Sequence, residues 1–206
     1  MVVLQPFGHT IYFFDPSHNC NGVFSGGYQC YPDNPAEIGE DSMDRLTSMA
    51  RTVGALLKQR KCTVAVAESS AGGLVSAALL AVPGASAYYV GGGVIYTREA
   101  RRALLGVPED VVTMRGASED YALLIARAMR QRLGATWGLC ETGASGPAGN
   151  RYGDAAGHAC FAVAGPIERA ITLETGSADR EANMWRFAEA TLALLEQAVR
   201  ETAEAR

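Results

Sequence analysis

The chain has 206 residues, 48% hydrophobic and 19% charged, with a formal net charge of −4. That supports one core, or one domain with an appendage, and excludes wholesale disorder. The acidic balance argues against the basic surface that nucleic-acid binding needs, and no apolar run reaches the roughly 18–20 residues of a membrane span. A cytoplasmic protein with neither nucleic-acid nor membrane partners is expected. The only lysines, Lys58 and Lys61, stand against sixteen arginines, so lysine chemistry has few places to occur. Cys20, Cys30, Cys62, Cys140 and Cys160 are odd in number and contain no C-x-x-C. They read as free thiols, and no metal or cofactor is expected.

Residues 1–42 differ from the rest. They hold seven of the sixteen aromatics and neither lysine nor arginine, and show neither alternation nor helical period. Turn signals are dense, at Asp15-Pro16, Asn21-Gly22, Gly26-Gly27 and Pro32–Pro35. An irregular arm is expected over 1–42, with a domain over 43–206 and Met43 as an alternative start. The apolar run Ile11–Phe14 leaves a packed arm open.

From there the pattern is regular. Asp41-Ser42 offers an N-cap for a helix to about Gln59, with Leu46, Met49, Val53, Leu56 and Leu57 on one stripe. Thr63–Ala67 reads as a short buried strand. Glu68-Ser69-Ser70-Ala71-Gly72-Gly73 turns into a helix ending before Pro83-Gly84. A strand is expected over 89–96 and a short helix over 98–105. A long helix runs from Ser118-Glu119 to Gly134. Then come a strand over 137–142, the glycine loop 143–150, a hairpin of strands 158–164 and 169–174, and a last helix over 179–202. Alternating strands and helices with a late hairpin predict a three-layer α/β/α sandwich with a mixed, mainly parallel sheet.

Three segments can carry chemistry. A strand opening through Glu68–Gly73 into a helix brings backbone N–H groups and a helix dipole beside Ser69 and Ser70, which suits an anion or an oxyanion. A plain glycine turn with a serine cap fits equally. Thr142, Gly143, Gly146 and Gly149 form a second glycine loop after a strand, and α/β sheets bind ligands at the carboxyl ends of strands. Arg98, Arg101 and Arg102 share a short helix, where a solvated basic face is the plain reading. Arg180 stands at a helix start, where the dipole does not favour it, and His158 begins a strand.

Several runs together resemble the CinA C-terminal domain family, to which nicotinamide-nucleotide amidases belong. Ala67–Gly73 resembles A-E-S-C-T-G-G, Val82–Ser86 resembles V-P-G-S-S, and Gly93–Thr97 with Glu99-Ala100 resembles G-x-V-x-Y-S-N-E-A-K. Leu105–Val107, Gly116–Glu119, Thr142–Pro147, and Gly176 with Asp179-Arg180 follow in order. The resemblance covers about 46–198. It implies hydrolysis of the carboxamide of nicotinamide mononucleotide or a related pyridine nucleotide, giving the acid and ammonia. It implies Ser69 as nucleophile with Tyr96 and the residue at Arg101 beside it. Glu68, Ser70, Gly72, Gly73, Thr142, Gly143, Gly146 and Arg180 are the expected substrate-binding set. A small anionic ligand and a homo-oligomer are expected.

The sequence departs from that pattern. The family lysine aligns with Arg101, which stays protonated and cannot be a general base. The family Cys and Thr are Ser70 and Ala71. Two classes of function follow: an amidohydrolase with Tyr96, Glu68 or His158 as base, or a non-catalytic or regulatory module that keeps the anion pocket. Because residues 1–42 lack a period, a chain beginning at Met43 is expected to be soluble with an unchanged cooperative melt. Aggregation, or a much lower melting temperature, would show that the arm is packed on the domain.

Overall fold

The computed structural model describes residues 40–204 and two short strands, β1 (Val23–Phe24) and β2 (Tyr28–Gln29). The strands pair antiparallel, Val23 with Gln29 and Phe24 with Tyr28, an ordered pair within the segment read as irregular. The run Ile11–Phe14, Cys20, Cys30 and the remaining turn signals of the arm lie outside the described residues. The chain divides into Met1–Glu40 and Asp41–Arg206.

The second unit is built on a five-stranded sheet of order β4-β3-β5-β6-β7. Its strands are β3 (Val64–Glu68), β4 (Tyr89–Val94), β5 (Trp137–Ala144), β6 (His158–Ala164) and β7 (Glu168–Glu174). β3 runs parallel to β4 and β5, whereas β6 and β7 continue as antiparallel neighbours. The sheet is mixed as expected, with its parallel part confined to β4-β3-β5.

The two faces differ in side-chain size. Val64, Val66, Trp137, Leu139, Phe161 and Val163 point to one face, against α1 (Glu40–Gln59), α2 (Leu74–Leu80) and α6 (Arg180–Glu204). These helices contribute Leu46, Val53 and Leu57, then Val75 and Leu79, then Phe187, Leu192 and Leu195. The opposite face carries Ala65, Ala67, Cys140, Cys160, Ala162 and Ala164, packed on Tyr121, Ile125 and Met129 of α5 (Glu119–Leu133). Alternation along each strand sorts large residues to one side and small to the other, so α5 lies close to the sheet. A Cβ at Gly138 would sit 2.0 Å from the Ala126 carbonyl oxygen.

The structure departs from the local signals at two positions. Asp41 and Ser42 lie inside α1, which begins at Glu40, so they do not cap it. The segment 98–105 is not one helix: α3 (Arg98–Ala100), capped by Thr97 Oγ1 accepting from Ala100 N, passes into a π turn over Arg101–Leu105. A further short helix, α4 (Glu109–Thr113), follows Pro108. Ser118 caps α5 and Gly134 closes it in the left-handed conformation, as predicted. Asp179 Oδ1 accepts from Ala182 N and caps α6. Among the described residues no helix is long and apolar enough to cross a membrane.

Gly138→Ala is expected to push α5 off β5 and to cost about 1–3 kcal/mol, the usual penalty of overpacking. Chemical denaturation of the two proteins measures it, and equal midpoints would contradict the close approach.

Candidate active site

Ala67 and Cys140 are paired in register, so the next residues, Glu68 and Glu141, emerge side by side at the carboxyl ends of β3 and β5. Both are almost fully buried, at 1% exposure each. A buried carboxylate is tolerated only where donors surround it, and each recruits its own. Glu68 Oε2 accepts from the amides of Gly73 (3.0 Å) and Val75 (2.9 Å), and Oε1 from the Ser76 amide (2.9 Å) and hydroxyl (2.5 Å). It is therefore the anion held at the start of α2, and neither serine caps that helix. The turn reaching it has Gly72 at φ +69° and Gly73 at φ +103°, backbone that glycine adopts readily.

Glu141 holds the preceding loop. Its Oε2 accepts from the amides of Ser69 (2.9 Å) and Ala71 (2.8 Å), and its Oε1 from the Ser70 hydroxyl. Burial pushes its carboxyl up. The hydrogen bonds from Ser70, Ala71 and Ser69 oppose that rise, and the Glu68 charge adds to it. Most of the loop amides expected to face a substrate are thus occupied from within. Ser70 N is one for which no acceptor occurs among the described residues. Glu141 is not among the site residues expected from sequence. Its signal was an acid in an otherwise uncharged strand, one step beyond the register partner of Ala67.

Over these strand ends lies a cleft of about 580 Å³. Ser69, Tyr96, Arg101, Thr142 and Gly143 of the expected set line it, joined by Arg98, Glu99, Gly116, Ala117, Asn150, Arg151 and Tyr152. Glu68, Ser70, Gly72, Gly73, Gly146 and Arg180 are outside that lining. Arg180 Nη1 donates to the Gly146 carbonyl (2.7 Å) and Nη2 to the Tyr96 hydroxyl (3.4 Å), tying the glycine loop and Tyr96 to the start of α6. Tyr96 is 59% exposed.

Arg101 is 7% exposed, not part of a solvated basic face. Its Nη1 donates to the carbonyls of Val112 (3.0 Å) and Met114 (3.1 Å), and its guanidinium stacks 4.3 Å from the Tyr121 ring centroid. Its Nη2 abuts Gly116, where a Cβ would approach to 2.8 Å. Its Nε is buried with no partner among the described residues.

His158 stands apart from the cleft lining. Nε2 meets the Ala117 carbonyl at 2.9 Å and Nδ1 meets Glu174, with Asp154 Oδ2 3.9 Å from Nε2. Both partners are acceptors, an arrangement that favours the doubly protonated ring. Desolvation lowers its pKa, but the bonds to Glu174 and Ala117 and the charges of Asp154 and Glu174 outweigh that and raise it. His158 is a pin for the Gly116-Ala117 segment and is not free to accept a proton. Ala117 holds φ +52° there, and its amide donates to Thr142 Oγ1 at 3.3 Å.

Comparison with known proteins follows the same lines. The family model described as CinA C-terminal domain matches residues 46–199. A "CinA-like protein" of Prochlorococcus marinus (strain MIT 9313) is 44% identical over 120 residues, 58% of this chain and 28% of that protein. One from Synechocystis sp. (strain ATCC 27184 / PCC 6803 / Kazusa) is 38% identical over 149 residues, 71% of this chain and 36% of that protein. The matched part is thus about a third of those relatives' length. Among solved structures, a competence-damaged protein (CinA) superfamily protein from Klebsiella pneumoniae 700603 has a TM-score of 0.70 at 25% identity, covering 76% of this chain and 98% of that one. The competence/damage inducible protein CihA of Agrobacterium tumefaciens has a TM-score of 0.69 at 28% identity, covering 76% and 96%.

The His158 pKa is raised above its unfolded value near 6.5. Its stabilisation is therefore complete below about pH 6.5 and is lost as pH rises through the folded value. Wild type should exceed His158→Gln in stability by about 1.5–3 kcal/mol near pH 6, with the gap closing toward alkaline pH. A pH-independent gap in melting temperature would contradict the imidazolium assignment.

Proposed function

The chain belongs to the CinA C-terminal domain family, and we propose that its cleft binds a small anionic, nucleotide-like ligand and hydrolyses its carboxamide at Ser69. The observation carrying this reading is the make-up of the cleft: Ser69 shares its lining with three arginines, Arg98, Arg101 and Arg151, against one acid, Glu99. Guanidinium groups suit phosphate and carboxylate. The resemblance in sequence to nicotinamide-nucleotide amidases points to a pyridine nucleotide as the ligand class.

In this reading the Ser69 oxygen attacks the amide carbon. The carbon–nitrogen bond breaks, the nitrogen takes up a proton and leaves as ammonia, and an ester to Ser69 remains. Water then cleaves the ester, giving the carboxylic acid and restoring the hydroxyl. Of the three groups considered as base, Glu68 is committed to the start of α2 and His158 to Ala117 and Glu174. Tyr96 shares the cleft with Ser69, and its hydroxyl lies beside Arg180, so the base role falls to Tyr96.

A second reading has its own observation. Arg101, at the position of the family lysine, is buried and bonded to two carbonyls, so the cleft can hold the ligand without turning it over. Ammonia release from nicotinamide mononucleotide, measured beside a thermal-shift titration, separates the two. Ser69→Ala is expected to abolish release while leaving the melt within about 0.5 kcal/mol of wild type. Arg101→Lys is expected to raise release by up to about 10²–10⁴-fold, the worth of a general base. Ligand stabilisation without release in wild type favours the second reading. Release that survives Ser69→Ala overturns the nucleophile.

A further inference from the structure

Gly116 and Ala117 line the cleft, and their position hangs on one titratable side chain. Ala117 holds φ +52°, left-handed backbone that an alanine keeps only under restraint. Three contacts supply the restraint. The Ala117 amide donates to Thr142 Oγ1 at 3.3 Å, the Arg101 guanidinium lies against Gly116, and His158 Nε2 meets the Ala117 carbonyl at 2.9 Å. Of the three side chains involved, only the imidazole changes its charge near neutral pH.

Two acceptors compete for that ring. Nε2 faces the Ala117 carbonyl, and Nδ1 faces Glu174, the register partner of His158 on β7. An imidazolium donates to both. A neutral imidazole carries one N–H, so one contact becomes lone pair against lone pair. A charged acceptor makes a hydrogen bond roughly twice as strong as a neutral one, so the last proton goes to Glu174 and the Ala117 oxygen loses its donor. The other groups around the ring are Asp154, Glu119 and Cys160. Asp154 Oδ2 is 3.9 Å from Nε2 and pairs with Arg115. Glu119, at the start of α5, accepts from Thr172 Oγ1 at 2.7 Å, and that hydroxyl lies 3.5 Å from Cys160 Sγ. The thiol is 3.7 Å from Nε2, and burial raises its pKa, so it stays neutral. Three carboxylates against one guanidinium favour the protonated ring. Burial lowers the imidazole pKa, but the bonds to Glu174 and Ala117 and the charges of Asp154 and Glu174 outweigh that and leave it above 6.5.

We propose that His158 is a pH-operated catch on the cleft lining: its imidazolium holds Ala117 in the left-handed conformation, and its neutral form releases the Gly116-Ala117 segment. His158 does not itself line the cleft, so it is a positioning residue that acts through that segment. The catch is closed below the folded pKa and opens as pH rises through it. Its consequence for binding rests on the anionic-ligand reading above. With the catch open, a ligand must first reorder the segment, and the apparent affinity falls with the fraction of chains still in the closed form.

NMR of the full chain across the histidine titration range tests it. The chain has three histidines, His9, His18 and His158, so the His158 ring signals are those lost in His158→Gln. In wild type the Ala117 Cα and Cβ shifts, which report backbone conformation, should leave their left-handed values with the same midpoint as the His158 ring, above pH 6.5. In Glu174→Gln, an exposed position that loses the charge beside Nδ1, both midpoints should fall together. Ala117 carbon shifts that stay fixed while the ring titrates, or midpoints that separate in Glu174→Gln, overturn the catch. Calorimetric titration with nicotinamide mononucleotide supplies the second readout. Wild-type affinity should drop about 5- to 10-fold across the same midpoint, the worth of one hydrogen bond. His158→Gln should lack that step and keep only the background from the ligand's own phosphate. A step of equal size in His158→Gln overturns the catch. The two proposals fail separately. No mononucleotide binding at any pH, with ring and Ala117 titrating together, removes the ligand reading and retains the catch. Binding to a segment that ignores the ring does the reverse.

Discussion

Two carboxylates buried at adjacent strand ends govern the geometry around Ser69. Glu68 and Glu141 leave β3 and β5 in register, and neither reaches bulk water. A buried carboxylate must collect donors or lose its charge, and the donors at hand are the amides and hydroxyls of residues 69–76. Glu68 draws the start of α2 onto itself, and Glu141 draws in the loop before it. Ser69 is left between the two anchors, with its backbone fixed and its side chain at the cleft. A loop held by so many hydrogen bonds is preorganised.

The opposite wall depends on the size difference between the sheet's faces. Small residues on the α5 side let that helix approach closely, and the segment entering it, Arg115–Ser118, is carried over the strand ends. There His158 holds the Ala117 carbonyl and Thr142 the Ala117 amide, while Arg101 packs against Gly116. The cleft is thus bounded by an electrostatically tied loop and by a segment positioned by close packing.

Sequence patterns of short range were legible because their causes are local. The glycine closing α5, the serine capping it and the apolar run Val64–Ala67 of β3 follow from backbone preference and from burial on both faces of the sheet. The motif order gave the family, and with it the strand ends at which the cleft lies. The start of α1 was misread because Asp41 and Ser42 were good caps in sequence, yet the helix begins one residue before them. The break of the segment after Arg98 into a π turn was hidden for the same kind of reason. The pull on Arg101 comes from the carbonyls of Val112 and Met114 and the Tyr121 ring, all distant in the window that a helical pattern uses.

The sequence by itself determined the α/β class, the order of elements, the family and the placing of Ser69 after a strand, since each depends on neighbours within a few residues. Tertiary structure alone decided which groups remain available. It spent Glu68 and His158 on structure, turned Arg180 to Gly146 and Tyr96, brought Glu141 beneath Ser70, and gathered Arg98, Arg151 and Tyr152 into the lining of one cleft. The physical reason is that a polar side chain's role is set by the partners that satisfy it once buried, and those partners come from strands and loops tens of residues apart.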